Sequence, residues 1–431
     1  MSDLSHVADG PAGLLREFRR IIESRTSPAL NTRRREAFLK RPLSKLHMEA
    51  VELAPVIYDE EDYEVAGSTV PRSVPHKHPM VKEDPATNRI AHREVRIQVR
   101  SIGRPDDFHA GKTVTWSMEP LFVRPSAEGD GPGTPEFRGD WQLAAERHRD
   151  RFEAPANFAV TGFQRLSQEQ AITSIDSTGH TAIRVNLPPI AFNAARVRVR
   201  MEGEDTDTAL VDLEVPGIIV IDPGHGGDKD ESGSNANHAV SHTSKILEKN
   251  LALDFGLRSR SALHDLRDAD ALNLRVYMTR STDRNRPGKE RAGVGKEKGA
   301  DVLLSIHFNG FDGRVRGTET LVRRRSDNLN YDQDVALASR VNDAVYHAIL
   351  EHDDGARDRG IKEQQLAVLS DGWLGNTATW HPLRSALLEV EFIDNESVDQ
   401  LLSINEGHEQ VRQDIAVAIA NALIEDLKSS P

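Results

Sequence analysis

Residues 217–227 read GIIVIDPGHGG: an uncharged apolar run, then Asp222, a proline, and a histidine set between glycines. A short continuous apolar run closed by Pro and Gly predicts a strand buried on both faces. The same pattern returns at 300–309, ADVLLSIHFN, and at 385–395, SALLEVEFIDN. A further strand is expected at 274–280. Helical stretches lie between and after them, at 247–266 (with Leu251, Leu253, Leu257 and Leu263 among the apolar positions), 291–300, 335–352 and 411–427. Strands alternating with helices predict an α/β domain over 216–431, its sheet mostly parallel and covered by helices on both faces.

Ligands of open α/β sheets bind beyond the carboxyl ends of the strands. His225, His307 and Glu389 all stand at such ends, the two histidines in loops directly after their strands. Glu248 opens the helix after the first strand, which brings it back to the same rim. Two imidazoles and one carboxylate are a usual set for catalytic zinc, with the fourth position left to water. A further carboxylate beside them can take a proton from that water. One histidine beside an apolar strand is more often structural. Four groups from four separate segments meeting by topology read as a site. Glu391 is the rival of Glu389, because strand alternation puts both on one face.

The segments IVIDPGHGG, EKN, YMTRSTD, SIHFN, DRGIKEQQLAVL and LLEVEFIDN, in that order over residues 217–428, resemble the motifs of zinc-dependent N-acetylmuramoyl-L-alanine amidases of the Amidase_3 type. The resemblance implies that His225, Glu248 and His307 ligate one Zn2+ and that Glu389 is the catalytic carboxylate. The substrate it implies is peptidoglycan, cut between N-acetylmuramic acid and the L-alanine of the stem peptide. Asp222 is expected to brace the His225 loop, and Asn309 and Arg280 to pin loops beside the site. Two features depart from the family pattern. Glu391 stands where a small residue is usual. The interval from His225 to Glu248 is long, and its His238 and His242 belong either to an enlarged surface loop or to a replacement for Glu248. Trp373, Trp380 and His381, in the polar stretch 370–385, either contact substrate or pack. Two other functions stay open: another zinc amide hydrolase acting on stem peptides, and a non-catalytic wall-binding module with a vestigial site.

The formal net charge of −13 argues against nucleic acid as a partner, which needs a basic face. No cysteine is present, so thiolate chemistry and Cys-based zinc sites are excluded. No apolar run approaches the ~18 residues of a membrane span, and no basic start leads into a secretory apolar stretch. The expectation is a protein made in the cytoplasm that reaches the cell wall by lysis or non-classical delivery. A phage or a secretion or injection apparatus would then engage it through the N-terminal region. Leu14, Leu15, Phe18, Ile21 and Ile22 recur at helical spacing, predicting an amphipathic helix followed by extended linker within 1–90. From 91 to 215 the pattern becomes period-two alternation broken by turn residues, as in REVRIQVRS, KTVTWSMEPLFV and ARVRVRM. That predicts an all-β, immunoglobulin-like sandwich with Trp116 as its core marker and a long loop at 125–155.

Overall fold

The computed structural model describes residues 109–120, 152–154, 162–186, 191–192, 194–203, 209–214, 216–270, 272–376 and 383–429, together with the backbone of four strands between 47 and 100. The amphipathic helix expected near the N-terminus and most of the 125–155 loop fall outside the described residues.

Among the described residues, eleven strands precede residue 216: β1 (His47–Glu52), β2 (Asp59–Val65), β3 (Ser68–Val74), β4 (His92–Arg100), β5 (Thr113–Pro120), β6 (Phe152–Glu153), β7 (Gln164–Ser167), β8 (Gln170–Ser174), β9 (His180–Asn186), β10 (Ala194–Met201) and β11 (Ala209–Glu214). They form one sheet in the order β1-β4-β9-β6 and another in the order β11-β10-β5-β8-β7, with β2 and β3 paired alone. The β2–β3 hairpin lies in the stretch read from sequence as extended linker. Its strand DEEDYEV is too acidic to show an apolar period, so the pattern there was silent. Side chains of both larger sheets meet in one core, where Phe152, Ile183 and Val185 from the first join Val114, Trp116 and Val197 from the second. Trp116 is fully buried, and its indole donates to Thr173 Oγ1 at 2.8 Å.

The remainder carries β12 (Gly217–Pro223), α1 (Glu248–Ala269), β13 (Leu274–Met278), α2 (Gly288–Lys298), β14 (Val302–Asn309), β15 (Thr318–Val322), α3 (Tyr331–Leu350), β16 (Asp358–Glu363), α4 (Asp371–Leu374), β17 (Arg384–Phe392), α5 (Glu396–Asp399) and α6 (His408–Ser429). Six strands make one sheet in the order β13-β12-β14-β17-β15-β16. Every neighbouring pair is parallel except β15 against β17. The sheet is therefore mostly parallel, as the sequence suggested, with one antiparallel pair between β15 and β17. The chain from β14 to β15 crosses only residues 310–317, too short for the helical crossover that a parallel return needs.

Strand alternation sorts the core into two layers. Ile219, Ile221, Leu304, Ile306, Leu388 and Val390 face α1, α3 and α6. Ile218, Val220, Leu303, Leu321 and Leu387 face α2 and α4. The second parity also carries Asp222, Ser305, His307, Glu389 and Glu319, so the polar row lies on the α2 side, at the rim. Helix α3, which lies between His307 and Arg359 in the chain, packs on the opposite layer through Leu337, Val341 and Val345. The β-rich part meets this domain at Phe192, whose ring lies against Gly217 so closely that a Cβ there would be 2.7 Å from it.

Candidate metal centre

Parallel pairing of β12 with β14 and of β14 with β17 lines up their carboxyl ends. His225 stands two residues past the end of β12. His307 lies inside β14 rather than in a loop after it, directly opposite Glu389 on β17. Glu248 is the first residue of α1. Three atoms converge. Glu248 Oε1 lies 2.9 Å from His225 Nε2 and 3.1 Å from His307 Nδ1, and those two nitrogens are 3.1 Å apart. All three side chains are buried or nearly so.

The surroundings fix which atoms carry lone pairs. His225 Nδ1 is 2.9 Å from the carbonyl oxygen of Asn235, so the proton sits on Nδ1 and Nε2 offers a lone pair. Glu248 Oε2 accepts from Ala239 N at 2.9 Å, and Oε1 also accepts from Phe308 N at 3.1 Å. Burial disfavours the charged form of Glu248, but its bonds to His225 and His307 outweigh this and hold its carboxyl well below the usual range. Burial also pushes His307 down, toward the neutral imidazole that ligates metals. Three acceptor atoms within about 3 Å repel one another unless a proton or cation sits among them. The donor set of two imidazole nitrogens and one carboxylate oxygen, oriented by carbonyl and amide partners, fits a divalent cation with nitrogen and oxygen preference.

The segment between His225 and Glu248 is more than a surface loop, since it supplies the outer contacts of both ligands. Asn235 O orients His225, Ala239 N holds Glu248 Oε2, and Ala239 O accepts from the Glu248 amide at 3.0 Å. That last bond satisfies one of the orphan amides of the α1 N-terminus, where Leu247 provides no side-chain cap. His238 and His242 are exposed and stand outside the cluster, so neither replaces Glu248.

Beneath the site, Asp222 accepts from Arg291 Nη1 at 2.8 Å, from Ser305 Oγ at 2.6 Å, and from the Thr279 hydroxyl. Arg291 also donates to the carbonyls of Pro223 and His225, and Arg280 to those of Pro223, Gly224 and Lys249. The expected bracing roles of Asp222 and Arg280 are these contacts. They restrain a turn in which His225 takes φ 57°, a left-handed conformation unusual for a residue with a side chain. Gly224 lies against the ring of His307, where a Cβ would sit 2.6 Å from Nδ1.

Glu389 is partly buried beside His307, and its Oε2 has no hydrogen-bond partner among the described residues. Burial, then the charges of Glu248 and Glu319, raise its carboxyl well above the usual value. Glu391, its rival by alternation, is excluded. A register shift between His307 and Asn309 breaks the period, and Glu391 is spent on Gly317 N at 2.6 Å, Phe392 N at 3.0 Å and Arg316 Nη2 at 3.2 Å. Trp373 packs on the α2-side core, while Trp380 and His381 fall outside the described residues. The sequence reading missed Glu319, which faces Glu389 across β15 and β17. It also missed Arg291. Asn309 pins Glu319 at 2.9 Å rather than a loop.

Residues 219–421 match the family model described as N-acetylmuramoyl-L-alanine amidase, Amidase_3. An uncharacterized cell wall amidase of Bacillus anthracis is 28% identical over 212 residues, covering 47% of this chain and 34% of its own. The N-acetylmuramoyl-L-alanine amidase CwlM of Bacillus licheniformis is 29% identical over 181 residues, covering 42% of this chain and 56% of its own. A solved N-acetylmuramoyl-L-alanine amidase from Clostridium difficile is 27% identical, covering 50% of this chain and 98% of that one, with a TM-score of 0.39. The chain thus spans about a third of the length of the Bacillus anthracis relative, and the family-model match lies in the chain's C-terminal half.

Proposed function

The C-terminal half of the chain, residues 219–421, is an Amidase_3 domain, and from that we propose that the protein hydrolyses the amide between N-acetylmuramic acid and L-alanine in peptidoglycan, with one zinc ion held by His225, Glu248 and His307. The observation that carries this reading is the meeting of three ligand atoms within 3.1 Å at the strand rim, with Glu389 in register beside His307.

An amide is a weak electrophile and water a weak nucleophile. Zinc held there supplies a Lewis acid that polarises the carbonyl and lowers the pKa of water toward ~7. Glu389 takes the proton of the attacking water and returns it to the departing alanine nitrogen. Its burial and its two acidic neighbours favour that role, because they raise the basicity of a carboxylate that would otherwise be weak. His225 keeps its ligand nitrogen unprotonated by donating from Nδ1 to Asn235. Arg280 and Arg291 hold the His225 turn still through the reaction.

Residues 91–215 are proposed to form an immunoglobulin-like sandwich. Two antiparallel sheets sharing one core support that reading. Among the described residues no helix is long and apolar enough to cross a membrane.

The test is mass spectrometry of peptidoglycan fragments after incubation with zinc-loaded protein, EDTA-treated protein and E389Q. Free intact stem peptides and peptide-free glycan from the zinc-loaded form alone support the reading. Trimmed stems still attached to glycan would point instead to a peptidase. No release by any form would mean a vestigial site.

A further inference from the structure

Glu319, which faces Glu389 across β15 and β17, is the shared anchor of two cations. Glu319 Oε2 accepts from Arg359 Nε at 2.6 Å and from Lys362 Nζ at 2.5 Å, and Oε1 accepts from Asn309. Burial disfavours the charge on Glu319, yet Lys362, Arg359 and Asn309 together hold its carboxyl below the usual range. Glu319 is the one carboxylate among the described residues that pairs with these two cations.

The backbone is built to present it. β15 and β16 pair Thr318 with Asp358 but Glu319 with Gly360, so Arg359 is the extra residue of a bulge. Bulges re-aim a side chain. The Arg359 stem runs over Gly317, where a Cβ would come within 2.9 Å of its Cγ, and the guanidinium carbon lies 5.0 Å from the centre of the Phe392 ring. Nε is thereby tied down, and no partner among the described residues engages the four N–H groups at the end of the fork. Lys362 uses one of its three donors. Both side chains stay accessible, at 32% and 41% exposure. A stacked, anchored guanidinium with a free fork matches a carboxylate in two-point geometry.

Resting on the amidase reading above, we propose that Arg359 and Lys362 form the subsite for the carboxylate of the second stem residue, so that the enzyme selects stems carrying an ionised acid there over amidated ones. The spacing agrees. Glu389 and Glu319 are directly opposed on neighbouring strands, so their Cα atoms are about 5 Å apart. Arg359 Nε is one hydrogen bond, 2.6 Å, beyond Glu319 Oε2. From the scissile nitrogen, one peptide unit of about 3.5 Å plus the next carboxyl reaches that distance. An isoglutamate at position two carries a free α-carboxylate there, and isoglutamine replaces it with a neutral amide.

The experiment compares uncrosslinked glycan strands with stems bearing D-isoglutamate or D-isoglutamine at position two, cleaved by the zinc-loaded full chain, R359M, K362M and R359K. Charge-assisted pairing predicts about a tenfold higher kcat/KM for the acidic stem, expressed mainly in KM and shrinking with added salt. R359M and K362M bring the ratio toward one by losing the acidic substrate, and R359K restores part of it. Should R359M fail to fold by thermal melt, K362M and the salt series on the wild type carry the same comparison. A wild-type ratio near one, or variants that lose both substrates equally, overturns the subsite while leaving the amidase standing. Cleavage of neither strand by the wild type overturns both.

Discussion

Replacing Gly224 by alanine should disable the metal centre while sparing the fold. Gly224 is not among the residues with positive φ, so alanine meets no backbone penalty there. Its new Cβ would stand 2.6 Å from His307 Nδ1 and 2.5 Å from Nε2. Moving Nδ1 out to the 3.4 Å of an ordinary contact displaces it by about 0.8 Å. Metal–ligand distances tolerate only about 0.2 Å. His307 cannot slide along its own plane, because Glu248 and His225 crowd Nδ1 at 3.1 Å each. Zinc affinity should drop by about 10–100-fold, as when an orienting partner is lost, and turnover at saturating zinc by about 100-fold, as for a ~1 Å misplacement. The overpacking should cost about 1–3 kcal/mol, too little to unfold the domain. Chelator competition gives the affinity, glycan-strand hydrolysis the rate, and urea melts the stability. If G224A binds zinc and turns over like the wild type, then His307 is not held against Gly224 as described. Global unfolding would equally refute the claim that this contact serves the site rather than the core.

Three further outcomes are expected. E389Q should retain stoichiometric zinc and lose about 10²–10⁴ in kcat; elemental analysis beside kinetics checks this, and loss of metal would make Glu389 a ligand instead. H238A and H242A should keep both zinc content and activity, because both side chains are exposed outside the cluster; a fall in zinc content for either would return that histidine to the ligand set. R291M strands the buried carboxylate of Asp222 and should cost about 3–5 kcal/mol. For Asp222 itself, burial opposes ionisation, but Arg291, Ser305 and Thr279 outweigh it and depress the folded pKa below 3.8. A depressed acid contributes stability above its unfolded value and loses it as pH falls through the folded one. The advantage of wild type over D222N in urea melts should therefore be constant from pH 7 down to about 4 and shrink below it; a gap that grows on acidification would reverse the assignment.

The sequence by itself determined the alternation of strands and helices after residue 216, because an apolar run bounded by Pro and Gly has few other solutions. It also determined the candidate ligands, since topology brings strand ends together whatever the packing. His225, Glu248, His307 and Glu389 were all legible on that ground. The hairpin Asp59–Val65 with Ser68–Val74 was not, because the acidic run of its first strand, DEEDYEV, hides any apolar period. The choice between Glu389 and Glu391 was also closed to sequence, since strict alternation equates them, and only the register break beside Asn309 separates them. Tertiary structure alone decided the duty of the long 228–247 segment: its contacts to His225 and Glu248 run through the backbone of Asn235 and Ala239, atoms that every residue carries and no side-chain pattern can mark. It decided Arg359 and Lys362 for a related reason. They stand in a quoted motif, but their charge gains meaning only when β15 brings Glu319 between them and Glu389, and such neighbours in space are far apart along the chain.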